Sequence, residues 1–184
     1  MDKYSLPKST IINGKECPFN SDYRDILKVF EILNDPDLIT IERIEVALDY
    51  FYSDDSYKID YEQAIEEMFS FINMCQPEQQ THSEPLFNWE QDFQIIAAPV
   101  NRILGIDIRG IEYLHWWTFL SAFYEIGECT FNTYVGIRDK LNRGKKLEKY
   151  EETILRENRS SVVLKKKVDS STQDLMDIIM GKEV

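Results

Sequence analysis

Leu114-His115-Trp116-Trp117-Thr118-Phe119 gathers two of the chain's three tryptophans beside one of its two histidines. The third tryptophan stands in Phe87-Asn88-Trp89-Glu90-Gln91-Asp92. Such a concentration either lines a site or forms the centre of a core, and helical spacing favours the core. Between Ile111 and Ile126 the residues Trp116, Phe119, Leu120 and Phe123 fall on one stripe, with Leu114, Trp117 and Tyr124 on the adjoining one. His115, Thr118 and Glu125 are left as a polar strip. A helix apolar over so much of its circumference belongs at the middle of a fold.

The second block opens another helix. Asn88 is placed to cap it, with Gln91 reaching back as in a capping box. Trp89, Phe93, Ile96, Val100 and Ile103 then share a face. Pro99 interrupts that pattern and predicts a kink. Gly105 suits the left-handed residue after the last turn, Ile106 is expected to fold back on Val100, and Asp107 to Gly110 form a turn.

Toward the N-terminus, Asn13-Gly14 between short apolar stretches predicts a tight hairpin over residues 10–19. Ser21 is read as the cap of a helix carrying Tyr23, Ile26, Leu27, Phe30 and Leu33 inward. Asn34-Asp35-Pro36 ends it, and Pro36 suits the first turn of the next, whose stripe is Ile41, Ile44, Leu48 and Phe51. Ser53 to Ser56 read as a loop. A third helix spans Asp60 to Cys75, with Tyr61, Ile65, Met68, Ile72 and Cys75 inward. Gln76 to Pro85, apolar nowhere, is a connector and a candidate hinge.

Toward the C-terminus, Phe131 to Arg143 and a more exposed Gly144 to Asn158 read as helices. Ser160 to Ser171 is polar, basic and without helical period. Leu175, Met176, Ile178, Ile179 and Met180 form an apolar patch, read as a docking peptide or as a segment that folds back on the body. The expected architecture is mainly α: a single-domain bundle of about seven helices with a small N-terminal β-hairpin and a mobile C-terminal tail. Residues 1–158 form the domain, and residues 159–184 the basic linker and apolar segment.

The 184 residues suffice for a sizeable core without metal or disulfide support. No apolar run approaches the ~20 residues of a membrane span, and the N-terminus lacks a signal sequence, so a cytoplasmic protein is expected. Cys17, Cys75 and Cys129 are odd in number and far apart, which argues against disulfides or zinc. The net charge of -12 is uneven: residues 1–90 carry 19 acidic and 7 basic side chains, while Arg138 to Lys167 carry 11 basic and 5 acidic. That asymmetry suits an oppositely charged partner, or a second copy docking head to tail.

Chemistry finds little support. Glu90, Asp92, Asp107 and His115 are the right types for a metal or acid/base centre, but no His-Glu-x-x-His spacing links them. A Cys-His or Ser-His pair would have to use His115, and the seven glycines form no phosphate-cradling loop. The basic residues Arg138, Lys140, Arg143, Lys145, Lys146 and Lys149, with Lys165 to Lys167, lack a nucleic-acid motif and share the chain with an acidic half. The expectation is no catalytic residue, no cofactor, no metal and no nucleic-acid partner.

The order Phe87-x-Trp89-Glu90-Gln91-Asp92, Ala97-Ala98, Leu104-Gly105-Ile106-Asp107-Ile108, Leu114-His115-Trp116-Trp117-x-Phe119 and Ile137-Arg138 resembles the bacteriophage "g-p-fifteen" family of phages and prophages of Gram-positive bacteria. Pro99 departs from its pattern. The resemblance implies a non-catalytic tail-assembly chaperone in the bacterial host cytoplasm, holding the tape-measure protein among other tail-assembly proteins. It marks Trp89, Asp92, Asp107, His115, Trp116, Trp117 and Arg138 as a motif core. A structural virion or connector component is the alternative, and a metal-dependent enzyme the more distant one.

Overall fold

The computed structural model describes residues 4–76 and 84–165. Among them are one two-stranded hairpin and eight α-helices. They fall into two compact units, one of residues 4–76 with His115–Trp117, the other of residues 84–114 with 118–165.

In the first unit, strands β1 (Ser9–Ile12) and β2 (Lys15–Pro18) pair antiparallel, Ile12 opposite Lys15. Asn13 and Gly14 both take positive φ, as a tight two-residue hairpin loop demands. Helix α1 (Tyr23–Leu33) is capped by Asp22, which accepts the Arg24 amide, and not by Ser21. Helix α2 (Thr40–Phe51) starts four residues beyond Pro36. The Asp35 carboxylate accepts the Asp37 amide at 2.9 Å, holding the segment as a turn. Ile41, expected inward, is 62% exposed, because Ile44, Ala47, Leu48 and Phe51 supply the buried face.

A 3-10 turn at Asp55–Ile59 replaces the end of the expected loop and leads to α3 (Tyr61–Ile72), capped by Asp60. The helix stops before Cys75 because Met74 and Cys75 adopt positive φ, and the Cys75 amide closes onto the Ser70 carbonyl at 2.7 Å. Ala64 and Phe71 face inward where Tyr61 and Cys75 were expected to. The hairpin is fastened to this helix: Thr10 Oγ1 donates to Glu67, the Asn13 amide to Gln63, and the Asn13 side chain to Asp60. Phe19, Phe51 and Phe71 meet ring to ring within the core.

In the second unit, α4 (Trp89–Leu104) runs through Pro99 without interruption and ends on Gly105 in the left-handed conformation. Ile106 stays substantially exposed, while Ile108, two residues on, is fully buried. Helix α5 is shorter than its pattern, Trp116–Tyr124. Residues 114–116 have another use for their backbone: His115 forms an isolated antiparallel bridge with Asp22, and the Trp116 amide donates to the Ser21 carbonyl. A helix begun at Ile111 would forfeit both. The first two residues of α5, Trp116 and Trp117, belong to the first unit and the rest to the second.

Helix α6 (Thr130–Asn142) matches expectation, and Gly144 in the left-handed conformation follows it. Helix α7 is confined to Lys149–Glu157. The stretch after it is not wholly irregular: α8 (Arg159–Val162) is helical, and Val162 is fully buried against Tyr134 and Ile137 of α6. The apolar patch Leu175, Met176, Ile178, Ile179 and Met180, like the connector at 77–83, lies outside the described residues.

Candidate functional site

His115 stands just before α5 and is 2% exposed. Its Nδ1 accepts the Trp117 amide at 3.1 Å, the place a capping side chain takes, and its Nε2 lies 2.9 Å from the Pro7 carbonyl. A carbonyl only accepts, so Nε2 carries the proton and Nδ1 does not. The ring is therefore neutral. Burial lowers its pKa, against the opposing pull of the Pro7 carbonyl. The polar strip expected on α5 is thus not a strip: His115 precedes the helix and ties the N-terminal arm to its start.

Trp116 and Trp117 use their indole nitrogens alike. Trp116 Nε1 donates to the Ile72 carbonyl at 2.8 Å and Trp117 Nε1 to the Phe71 carbonyl at 2.7 Å. These are last-turn carbonyls of α3, beyond the reach of the helix's own amides, and the Phe71 carbonyl also accepts the Met74 amide at 3.1 Å. Trp117 also stacks on Phe71, and Phe30 of α1 tilts against Trp116. The pair is core, as phasing predicts, and at the same time the polar cap of a buried helix end.

In the second unit the motif blocks meet at a buried ion pair. Asp92 and Arg138, 46 positions apart, join through 2.7 and 2.9 Å bonds with side chains 1% and 4% exposed. Asp92 also accepts the Asn88 amide at 3.0 Å, so it closes the capping box that the sequence assigns to Gln91. Arg138 spends its other donors on the carbonyls of Leu86, Ser161 and Val162. Gln91, released from capping, donates to the carbonyls of Ser161 and Val163 and accepts the Lys165 amide. Together these side chains clasp residues 161–165 by their backbone. The motif's Ile137-Arg138 gave no hint of this clasp, nor did the basic stretch around it.

Trp89 is half-buried and packs with Phe87, Phe119 and Phe123. Asp107 is exposed; the Arg109 side chain and amide bond it and hold its carboxyl down to about 2, with Asn101 adding a bond. Glu90 is exposed. Asp92, Asp107 and His115 therefore have separate employments, and among the described residues no group of three or more His, Cys, Asp or Glu is placed to hold a metal ion. Three of the basic residues are similarly occupied: Arg138 is buried with Asp92, Lys140 bonds Glu151 and Arg143 bonds Asp139. No helix of the described residues is long and apolar enough to cross a membrane.

Fold and site together define a mainly helical protein whose histidine, tryptophans and buried ion pair join backbone segments to one another. The family model described as Bacteriophage Gp15 protein matches residues 3–164, and the chain belongs to that family. Comparison with curated proteins and with solved structures gave no match.

Proposed function

We propose that this phage protein is a tail-assembly chaperone: a non-catalytic protein of the host cytoplasm that binds the tape-measure protein until tube subunits polymerise around it. Family membership over residues 3–164 carries the reading. The employment of His115, Trp116, Trp117, Asp92 and Arg138 in structural bonds supports it, because the motif then specifies a scaffold and leaves the outer surface for a partner.

A holdase needs apolar surface for its client and net charge to keep the loaded complex dispersed. The acidic excess of residues 1–90 supplies the charge. Leu175, Met176, Ile178, Ile179 and Met180 are proposed to contact the client or a second copy. Co-expression with the tape-measure protein encoded by the same phage is the test: the reading requires a soluble complex that neither protein's absence reproduces. Deletion of residues 170–184 should reduce tape-measure solubility or self-association. Unchanged values for both would remove the C-terminal patch from the proposal, and an insoluble or unbound tape measure beside the intact chain would remove the proposal itself.

A further inference from the structure

The outer face of α2 is apolar in a way the fold does not require. Ile44, Ala47, Leu48 and Phe51 fill the inward face, yet Ile41, Val46 and Tyr50 stand on the solvent side, 62%, 42% and 37% exposed. Single exposed apolar residues are ordinary. Here three occur on one twelve-residue helix, two of them β-branched and so indifferent helix formers. At 100° per residue, Glu45, Asp49 and Glu42 run down the middle of the exposed face, flanked by Ile41 on one side and by Val46 and Tyr50 on the other. Ile39, just before the helix and 65% exposed, extends the second flank.

Charge indicates what such a face would receive. Residues 35–67 contain 11 acidic and 2 basic side chains. Both bases are committed. Arg43 is 3% exposed with its Nε on the Leu38 carbonyl, and Lys58 is shared between Asp49 at 3.2 Å and Asp55 at 2.8 Å. The face thus offers aliphatic and aromatic anchors beside an acidic row, with no outward cation of its own on α2.

We infer that the outer face of α2 docks a basic amphipathic helix of a partner protein, whose apolar positions cover Val46 and Tyr50 while its lysines or arginines run along Glu45 and Glu42. That the partner is the tape-measure protein rests on the function proposed above; the complementarity of the face does not.

The full-length chain titrated with three synthetic 18-residue peptides tests this: an amphipathic Leu/Lys helix, its Leu/Glu counterpart, and a Leu/Lys peptide of the same composition with its apolar positions scattered. Calorimetry should give one-to-one binding of the first alone, weakening as salt is raised. Amide shifts of labelled protein should cluster on residues 39–50. The double variant Val46→Ser/Tyr50→Ser should weaken binding by about tenfold, as loss of two moderate anchors does. Glu45→Lys should weaken it as well, with the thermal midpoint of both variants close to that of the parent.

Equal binding of the scattered peptide, shifts spread over the acidic surface, or variants that bind like the parent would overturn the inference. So would self-association of the unliganded chain that the double variant abolishes, because the occupant would then be a second copy. No phage protein enters this titration. A failed tape-measure co-expression therefore leaves the face standing, and a failed titration beside a successful co-expression removes the face alone.

Discussion

The polar residues of the motif are committed to partners within the fold, and their chemistry follows from those partners. His115 is held neutral, with a pKa below its ordinary 6.5 because burial disfavours the cation and Lys8 adds repulsion. Above pH 6.5 folded and unfolded chains bind the same number of protons at this residue. Below it the unfolded chain takes up a proton that the folded chain resists, so stability falls as pH drops through that range and levels off once the folded histidine also titrates. Chemical denaturation of parent and His115→Gln from pH 7.5 to 5 checks this: the difference between their unfolding free energies should shrink toward acid pH. The Asp92 and Arg138 pair makes a second prediction. Asp92→Ala leaves a buried guanidinium without its counter-ion and should cost about 3–5 kcal/mol by urea unfolding. Arg138→Met should cost at least as much, because the Leu86, Ser161 and Val162 carbonyls lose a donor too.

At the scale of elements, the informative events occur at helix ends. The C-terminus of α3 is finished by two indole N–H groups from another part of the chain. Trp117→Phe keeps most of the ring packing but deletes one donor, and because the Phe71 carbonyl still accepts the Met74 amide it should lower stability by about 0.5–1.5 kcal/mol, the net worth of one hydrogen bond. Trp117→Tyr, whose hydroxyl cannot reach along the same line, should not restore it. The α8 segment depends on the Gln91 clasp. Gln91→Ala should cost only about 0.5–1.5 kcal/mol overall, since its bonds are solvent-accessible, but should speed hydrogen exchange at the Lys165 amide and through α8. Unaltered protection there would mean that Arg138 and the buried Val162 hold the segment without it.

On the scale of the whole molecule, the acidic excess and the phage family membership bear on fate instead of fold. An assembly factor leaves the tail when the tail is complete, whereas a structural component stays. On the chaperone role proposed above, mass spectrometry of purified particles should find the tube and tape-measure proteins without this chain. Stoichiometric recovery of the chain from particles would favour the virion or connector reading.

Periodicity alone was enough for the mainly helical class, the hairpin at Asn13-Gly14, the Gly105 stop and the inward placing of Trp116 and Trp117, because each depends on local conformational preference or on one-sided apolar patterning. Such signals act within a few residues, and a sequence displays them directly. The start of α5, the Asp92 capping of Asn88 and the early end of α3 were not legible in that way. Each is decided by a competitor from elsewhere in the chain or in the turn: the Ser21–Asp22 backbone, the Arg138 guanidinium, the left-handed Met74 and Cys75. Tertiary structure likewise decided that Arg138 belongs to a buried pair and not to a basic surface, and that Ile41 and Val46 face water. The physical reason is common to all of these. A backbone amide, a carbonyl or a charge must find a partner when it is buried, and which partner is within reach is a property of the folded chain.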